Sequence, residues 1–277
     1  MKRSVPSGPL ALGGLPVAVA VAVAALVLGL VHPASGRTLT DRCPQTAAAT
    51  ECRVAPRPVR GEDPGPVARL YGSEVRRIPT TSRLVALTFN AAWDETGVDA
   101  ALAVLRGRNV PATFFLTGRF AERHPGAARS MAAEHGIGNH SYSHPQFADL
   151  TRPEAAQEIM GADRAIRRAT GAVPLPFFRF PYSATTPEGI AHANELGFAD
   201  IEFTADTNGY LGTAGGMTVQ KVVDRVVNAL TPGAIVQMHV GTAQGRGPAL
   251  DVQALPRIID AIQAHGYRIT DLRTVLE

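Results

Sequence analysis

The sequence predicts an α/β chain, a mainly parallel sheet with helices packed outside it. Two observations carry that expectation. From Ser82 onward, short apolar runs rich in β-formers alternate with amphipathic runs of helical period. The polar clusters also fall after apolar runs, at residues 90–95, 140–144, 179–182, 206–210 and 239. In βα barrels the chemistry gathers at the carboxyl ends of the strands in this way.

Taken in order, residues 84–89 read as the first strand and residues 98–108 as the helix after it. Residues 112–116 are the second strand, followed by a helix over residues 125–134. Thr151 with Glu154 makes a capping box, each side chain satisfying the other's free backbone N–H, for a helix that reaches Arg168. Residues 177–180 are a strand, and Thr186-Pro187-Glu188 opens a helix with Pro at its first position, where no N–H is needed. Strands over residues 199–203, 234–239 and 268–270 alternate with helices over residues 218–230 and 252–265.

Composition bounds the rest. The chain has 277 residues, 45% of them hydrophobic, which supplies a sizeable core and excludes general disorder. The formal net charge of +3 owes two units to Lys2 and Arg3; removing them from the 27 bases leaves 25 against 24 acids. No nucleic-acid partner follows from that balance. Residues 1–36 join this charged start to an apolar run from Leu10 to Val31, which reads as a signal peptide or a retained signal anchor. The remainder is therefore expected outside the cytoplasm, secreted or tied to the membrane through that segment alone. Residues 37–80 read as a Pro-rich linker holding the two cysteines, Cys43 and Cys52, which an oxidising compartment would join as a disulfide. Residues 81–277 form the folded domain, expected to be a monomer.

His140-Ser141-Tyr142-Ser143-His144 is the sharpest local signal. Imidazoles at i and i+4 share one face of a helical turn and lie close enough to hold one cation. Asn139 and Ser141 are candidates to brace them by hydrogen bonds. Alone, the pair also reads as two surface histidines in a turn. It stands, however, in a series: Thr88-Phe89, Ala112-Thr113-Phe114-Phe115, Gly138-Asn139-His140 through Pro145, Arg179-Phe180-Pro181-Tyr182, Asp206 and Met238-His239. In this order the segments resemble the polysaccharide deacetylase family, the carbohydrate esterases that share a domain with the rhizobial chitooligosaccharide deacetylase. The resemblance covers Ser82 to the carboxyl terminus.

The resemblance implies a distorted (β/α) barrel and a divalent metal, usually zinc, that removes acetyl groups from sugars. It implies His140 and His144 as metal ligands, and Arg179 beside the catalytic carboxylate. It implies the Tyr182 backbone N–H as oxyanion donor, and Asp206 orienting His239 as general acid. Tyr210 stands where the family often has Trp near the sugar, and Met238 where it often has Leu against the acetyl methyl. Read singly, Asp206 also suits an Asp-Thr-Asn-Gly turn and His239 a hydrogen-bonded core position.

One segment departs from the pattern. The family's Thr-Phe-Asp-Asp-Gly supplies a base and then a metal ligand; here the run is Thr88-Phe89-Asn90-Ala91-Ala92-Trp93-Asp94-Glu95. An amide is no general base and a methyl binds no cation. Asp94 is the candidate replacement as third ligand or base, with Glu95 behind it, although Asp94 equally reads as the N-cap of the following helix. The expectation is a metal-dependent hydrolase removing N-acetyl groups from an envelope polysaccharide such as peptidoglycan. The alternatives are a catalytically impaired glycan-binding pseudoenzyme, or an O-acetyl esterase on a polysaccharide.

Overall fold

The computed structural model describes residues 65–242 and 250–277; the N-terminal hydrophobic segment and the Cys43–Cys52 pair lie outside the described residues. Its centre is β1 (Leu84–Ala91), buried at all eight positions. Both faces are covered, which is why its sequence is a continuous apolar run rather than an alternation. Every strand pairing is parallel. Along one edge β1 pairs with β7 (Ala234–His239). The other edge is divided, β8 (Arg268–Thr270) taking residues 84–86 and β2 (Thr113–Leu116) taking residues 88–91.

From β2 the sheet continues through β3 (Gly136–Asn139), β4 (Phe177–Phe178) and β5 (Ala199–Asp200), and from β7 to β6 (Ala205–Asp206). β5 and β6 end this path without pairing each other. Single bridges from Val75 to Ile201 and from Arg77 to Ala234 lie between them. The result is a half-barrel of parallel strands, the distorted barrel that the resemblance implied. The linker expected to reach residue 80 gives way earlier: Val67, Leu70, Val75 and Ile78 are buried against the barrel.

Seven helices lie on the connections among the described residues: α1 (Val98–Gly107), α2 (Gly118–Arg123), α3 (Pro125–Glu134), α4 (Arg152–Thr170), α5 (Pro187–Glu195), α6 (Val219–Asn228) and α7 (Leu250–Ala264). The capping box at Thr151 and Glu154 is present. Thr186 caps α5 by accepting from the Gly189 N–H at 3.0 Å. The short β3 is not legible in the sequence because two of its four residues are glycines. Their reason is tertiary: a Cβ on Gly138 would meet the Phe115 ring at 2.6 Å.

The two-residue period of a strand sorts β1 into two environments. Val85, Leu87, Phe89 and Ala91 face the helices in the larger core. Ala86 joins Phe115, Phe177 and Ile235 in a second cluster inside the barrel. Toward the carboxyl ends that interior turns polar, with Thr88, Asn90, Arg179 and Gln237 buried there. The candidate site is built on this gradient.

Candidate functional site

Arg179, one residue past β4, is fully buried and organises the polar end of the barrel. Its Nε donates to the Ile201 carbonyl at 2.9 Å, and Nη2 donates to the Glu202 carbonyl at 3.2 Å. Nη1 donates to Thr88 Oγ1 and to Asn90 Oδ1, each at 3.0 Å. The guanidinium also lies 4.0 Å from the centre of the Phe115 ring, a cation–π contact. Burial lowers its pKa to about 10, opposed by the nearby charges of Glu202, Asp200 and Asp206. It therefore stays charged at neutral pH.

From Arg179 a chain of hydrogen bonds crosses the barrel. Asn90 Nδ2 donates to Gln237 Oε1 at 3.1 Å, and Gln237 Nε2 donates to Asp206 Oδ2 at 3.1 Å. Asn90 and Gln237 stand on adjacent strands and both face inward. Arg179 thus lies beside position 90, where the resemblance put it, but its partner is an amide with both ends engaged. Asp206 accepts from Gln237 and, through Oδ1, from the Asn208 N–H at 2.9 Å.

Asp206 is therefore not the residue against His239. That place belongs to Asp251 at the start of α7, whose Oδ2 accepts the His239 backbone N–H at 2.9 Å and lies 3.5 Å from His239 Nδ1. Asp251 is completely buried. Gly209 makes the room: a Cβ there would fall 2.0 Å from Asp251 Oδ1. The Tyr210 ring packs on His239, centroids 4.5 Å apart. Sequence reasoning missed Asp251 because it lies in a helical run with no polar pattern around it. The one available signal was an acid at the first turn of that helix. Met238 is also reassigned: it is fully buried in the helix-side core, since residues 237 and 239 face inward and 238 outward.

His140 and His144 come together, ring centroids 4.8 Å apart and nearly perpendicular. They do not share a helical turn. Ser141 and His144 have φ of +67° and +62°, left-handed values, in a loop that follows β3. Hydrogen bonds hold that shape: Asn139 Oδ1 accepts the Ser141 N–H at 2.9 Å, and Ser141 Oγ accepts the His144 N–H at 3.0 Å. Glu158 of α4 accepts the Ser143 N–H at 2.7 Å. Asn139 and Ser141 thus brace the backbone rather than the rings. His140 Nδ1 is 2.9 Å from the Arg179 carbonyl, which makes Nδ1 the protonated nitrogen and leaves Nε2 with a lone pair. Burial pushes the His140 pKa well below its ordinary value and that of His144 down as well, which favours the neutral form of both rings.

Neutral imidazoles suit a metal, and the buried His144 Nδ1 has no hydrogen-bond partner. The third donor is missing. Ala91 is a methyl turned into the helix-side core. Among the described residues no group of three His, Cys, Asp or Glu side chains is placed to hold an ion. Two imidazoles alone do not match a catalytic zinc, which takes three protein ligands and keeps one position open. Asp94 is not the N-cap of α1, whose cap is Gly97. Its Oδ1 accepts the Thr96 N–H at 3.0 Å, while Oδ2 is buried, unpartnered and packed on Gly241. Glu95 turns away to His124, 3.3 Å from its Nδ1.

These groups line one cleft of about 470 Å³, with Asn90, Asp94, His140, His144, Asp206 and His239 in its wall. Tyr182 also lines it, an exposed residue with a left-handed backbone at φ +61°. Behind Arg179, on the side away from the cleft, Asp200 and Glu202 are buried. Burial raises both pKa values, that of Asp200 to about 9, with neighbouring carboxylates adding to the rise at Asp200.

The polysaccharide deacetylase family model matches residues 77–201. The chain is 30% identical over 203 residues to a peptidoglycan-N-acetylglucosamine deacetylase of Bacillus cereus, covering 72% of this chain and 70% of that one. It is 31% identical over 200 residues to a chitooligosaccharide deacetylase of Bradyrhizobium, covering 69% and 90%. Among solved structures it is similar to BA3943 of Bacillus anthracis, described as a CE4 family pseudoenzyme, at a TM-score of 0.68 and 26% identity over 76% of this chain and 71% of that one.

Two outcomes are expected. Gly209→Ala should displace the Asp251 carboxylate and cost about 1–3 kcal/mol in a denaturant titration, the scale of an overpacked core; unchanged stability would mean the carboxylate moves freely. Asp200 holds a proton in the folded state that the unfolded chain releases above a pH of about 4. Stability therefore falls as pH rises through that window toward the raised folded value. Asp200→Asn should reduce the slope, leaving the share of Glu202, with a gain in Tm larger at about pH 8 than at about pH 5.

Proposed function

The chain belongs to the polysaccharide deacetylase family, and we propose that its cleft binds an N-acetylated amino-sugar glycan while hydrolysis there is suppressed. The observation that carries this reading is Asn90. Its carbonyl oxygen accepts from Arg179 and its amide nitrogen donates to Gln237, so position 90 holds an amide, which has no basic site to take a proton from a water. Deacetylases of this family generally depend on a metal, and here the donor set stops at His140 and His144. Losing a general base alone costs about 10²–10⁴-fold in rate. The similar Bacillus anthracis protein described as a pseudoenzyme supports the reading by analogy of fold.

The cleft keeps what recognition needs. It is concave, walled by Tyr182 and Tyr210, and carries the donors and acceptors of His239, Asp206 and Asn90 at its base. The names of the similar proteins, which act on peptidoglycan and chitooligosaccharides, support an N-acetylglucosamine polymer as the occupant. The charged start and apolar run of residues 10–31 support a place outside the cytoplasm, where an envelope glycan is the polymer to hand.

A second reading rests on Asp94. Its unpartnered, buried Oδ2 and its place in the cleft wall make it a candidate base, with His239 protonating the departing amine or alkoxide.

Acetate release decides between them. The full chain, with zinc added and with zinc chelated, is incubated with N-acetylated peptidoglycan and chitooligosaccharides, and glycan binding is followed by calorimetry. Saturable binding without acetate above background is expected. Release that disappears in both Asp94→Ala and His239→Ala would replace the first reading with the second.

A further inference from the structure

Four large apolar side chains are exposed among the described residues: Trp93, Val173, Tyr182 and Leu211. The two aromatic ones, Trp93 and Tyr182, both line the cleft. Trp93 is the single tryptophan of the chain, and the residue is 46% exposed. An exposed indole forgoes the largest apolar burial available to a side chain, so a partner that covers it gains what the fold left unused.

The ring is held in place. Its centroid lies 5.4 Å from that of His144, tilted by 59°, and the Tyr182 ring meets the same imidazole at 4.6 Å. The backbone on both sides is tied as well. Thr117 Oγ1 donates to the Ala92 carbonyl at 3.0 Å, and His124 Nε2 lies 3.3 Å from the Trp93 carbonyl. Asp94 fixes the next turn through the Thr96 N–H. A ring positioned before its ligand arrives loses little entropy on binding.

We infer that Trp93, with Tyr182 beside it, is a stacking platform that fixes a pyranose ring of the glycan at the cleft mouth. The inference rests on the glycan-binding reading and names the residues that select the polymer. One face of an equatorially substituted pyranose presents a patch of C–H bonds. That patch is weakly positive and matches the negative face of an indole. The polar rim of the same sugar meets the hydrogen-bonding groups at the base of the cleft. A stacked ring needs a flat, all-equatorial sugar, so the platform favours β-linked N-acetylglucosamine polymers over polymers of axially substituted sugars.

With one tryptophan in the chain, its fluorescence reports on this site alone. The full chain is titrated with chitooligosaccharides of two to six sugars, and emission is read beside calorimetry. A saturable emission change is expected, with the calorimetric Kd. Trp93→Ala should weaken binding about tenfold or more, the scale of losing one aromatic stacking partner, whereas Trp93→Phe keeps most of the affinity. Val173→Ala, outside the cleft wall, should leave binding unchanged. Calorimetric binding with unmoved emission, or equal affinity in Trp93→Ala, overturns the platform and leaves glycan binding standing. No binding by either measurement overturns both.

Discussion

The buried guanidinium of Arg179 is the constraint around which the barrel's polar end is arranged. A charge withdrawn from water costs several kcal/mol unless hydrogen bonds and opposite charge answer it. Here two backbone carbonyls, a threonine hydroxyl, an amide oxygen and an aromatic face do so. Arginine only donates, and that fixes every orientation downstream. Asn90 must turn its oxygen to Arg179, so its NH₂ faces Gln237. Gln237 must then present its oxygen to Asn90 and its NH₂ to Asp206. The chain runs from a cation to an anion, and at each link an N–H donor faces an oxygen acceptor. A carboxylate at position 90 would demand that Gln237 reverse, setting its oxygen against Asp206. The amide at 90 and the amide at 237 therefore belong together, and the departure from the family's first motif is a satisfied network rather than a gap.

The same logic operates at His239. Gly209 lacks a side chain, and the vacated volume is filled by the carboxylate of Asp251. That carboxylate accepts the His239 backbone N–H and lies 3.5 Å from the ring at Nδ1. A histidine lodged between Tyr210 and a buried acid keeps one orientation, whether it serves a proton transfer or a sugar hydroxyl. The cleft is therefore rigid at its base, while Trp93 and Tyr182 leave apolar surface at its mouth. Rigid polar groups below and exposed aromatic faces above form an arrangement suited to a polymer that has both hydroxyls and C–H faces.

Much of the fold could be read directly. Continuous apolar runs at β1 and β7, the capping box before α4 and the proline at the start of α5 are local signals, and local physics honours them. What escaped were elements whose reasons are distant. β3 contains Gly138 because the Phe115 ring packs where a side chain would stand, and at Gly136 a Cβ would crowd Leu175 and Thr113. Residues 65–80 resembled a linker because prolines and charges are interleaved with their apolar residues, yet Val67, Leu70, Val75 and Ile78 suffice to dock them.

The sequence by itself determined most of the succession of strands and helices, with α2, β3 and β6 the exceptions, the pair of imidazoles, Arg179 and the absence of a carboxylate at positions 90 and 91. Each of these is a matter of residue type and short-range spacing. Only the tertiary structure decided which acid meets His239, that Gln237 completes the Asn90 network, and that Met238 and Ala91 face the helices. It also decided that His140 and His144 meet through left-handed turns rather than a helix. Those outcomes depend on which residues far apart in the chain arrive at the same few ångströms, and on the inward or outward turn of each strand position. Neither is set until the barrel is assembled.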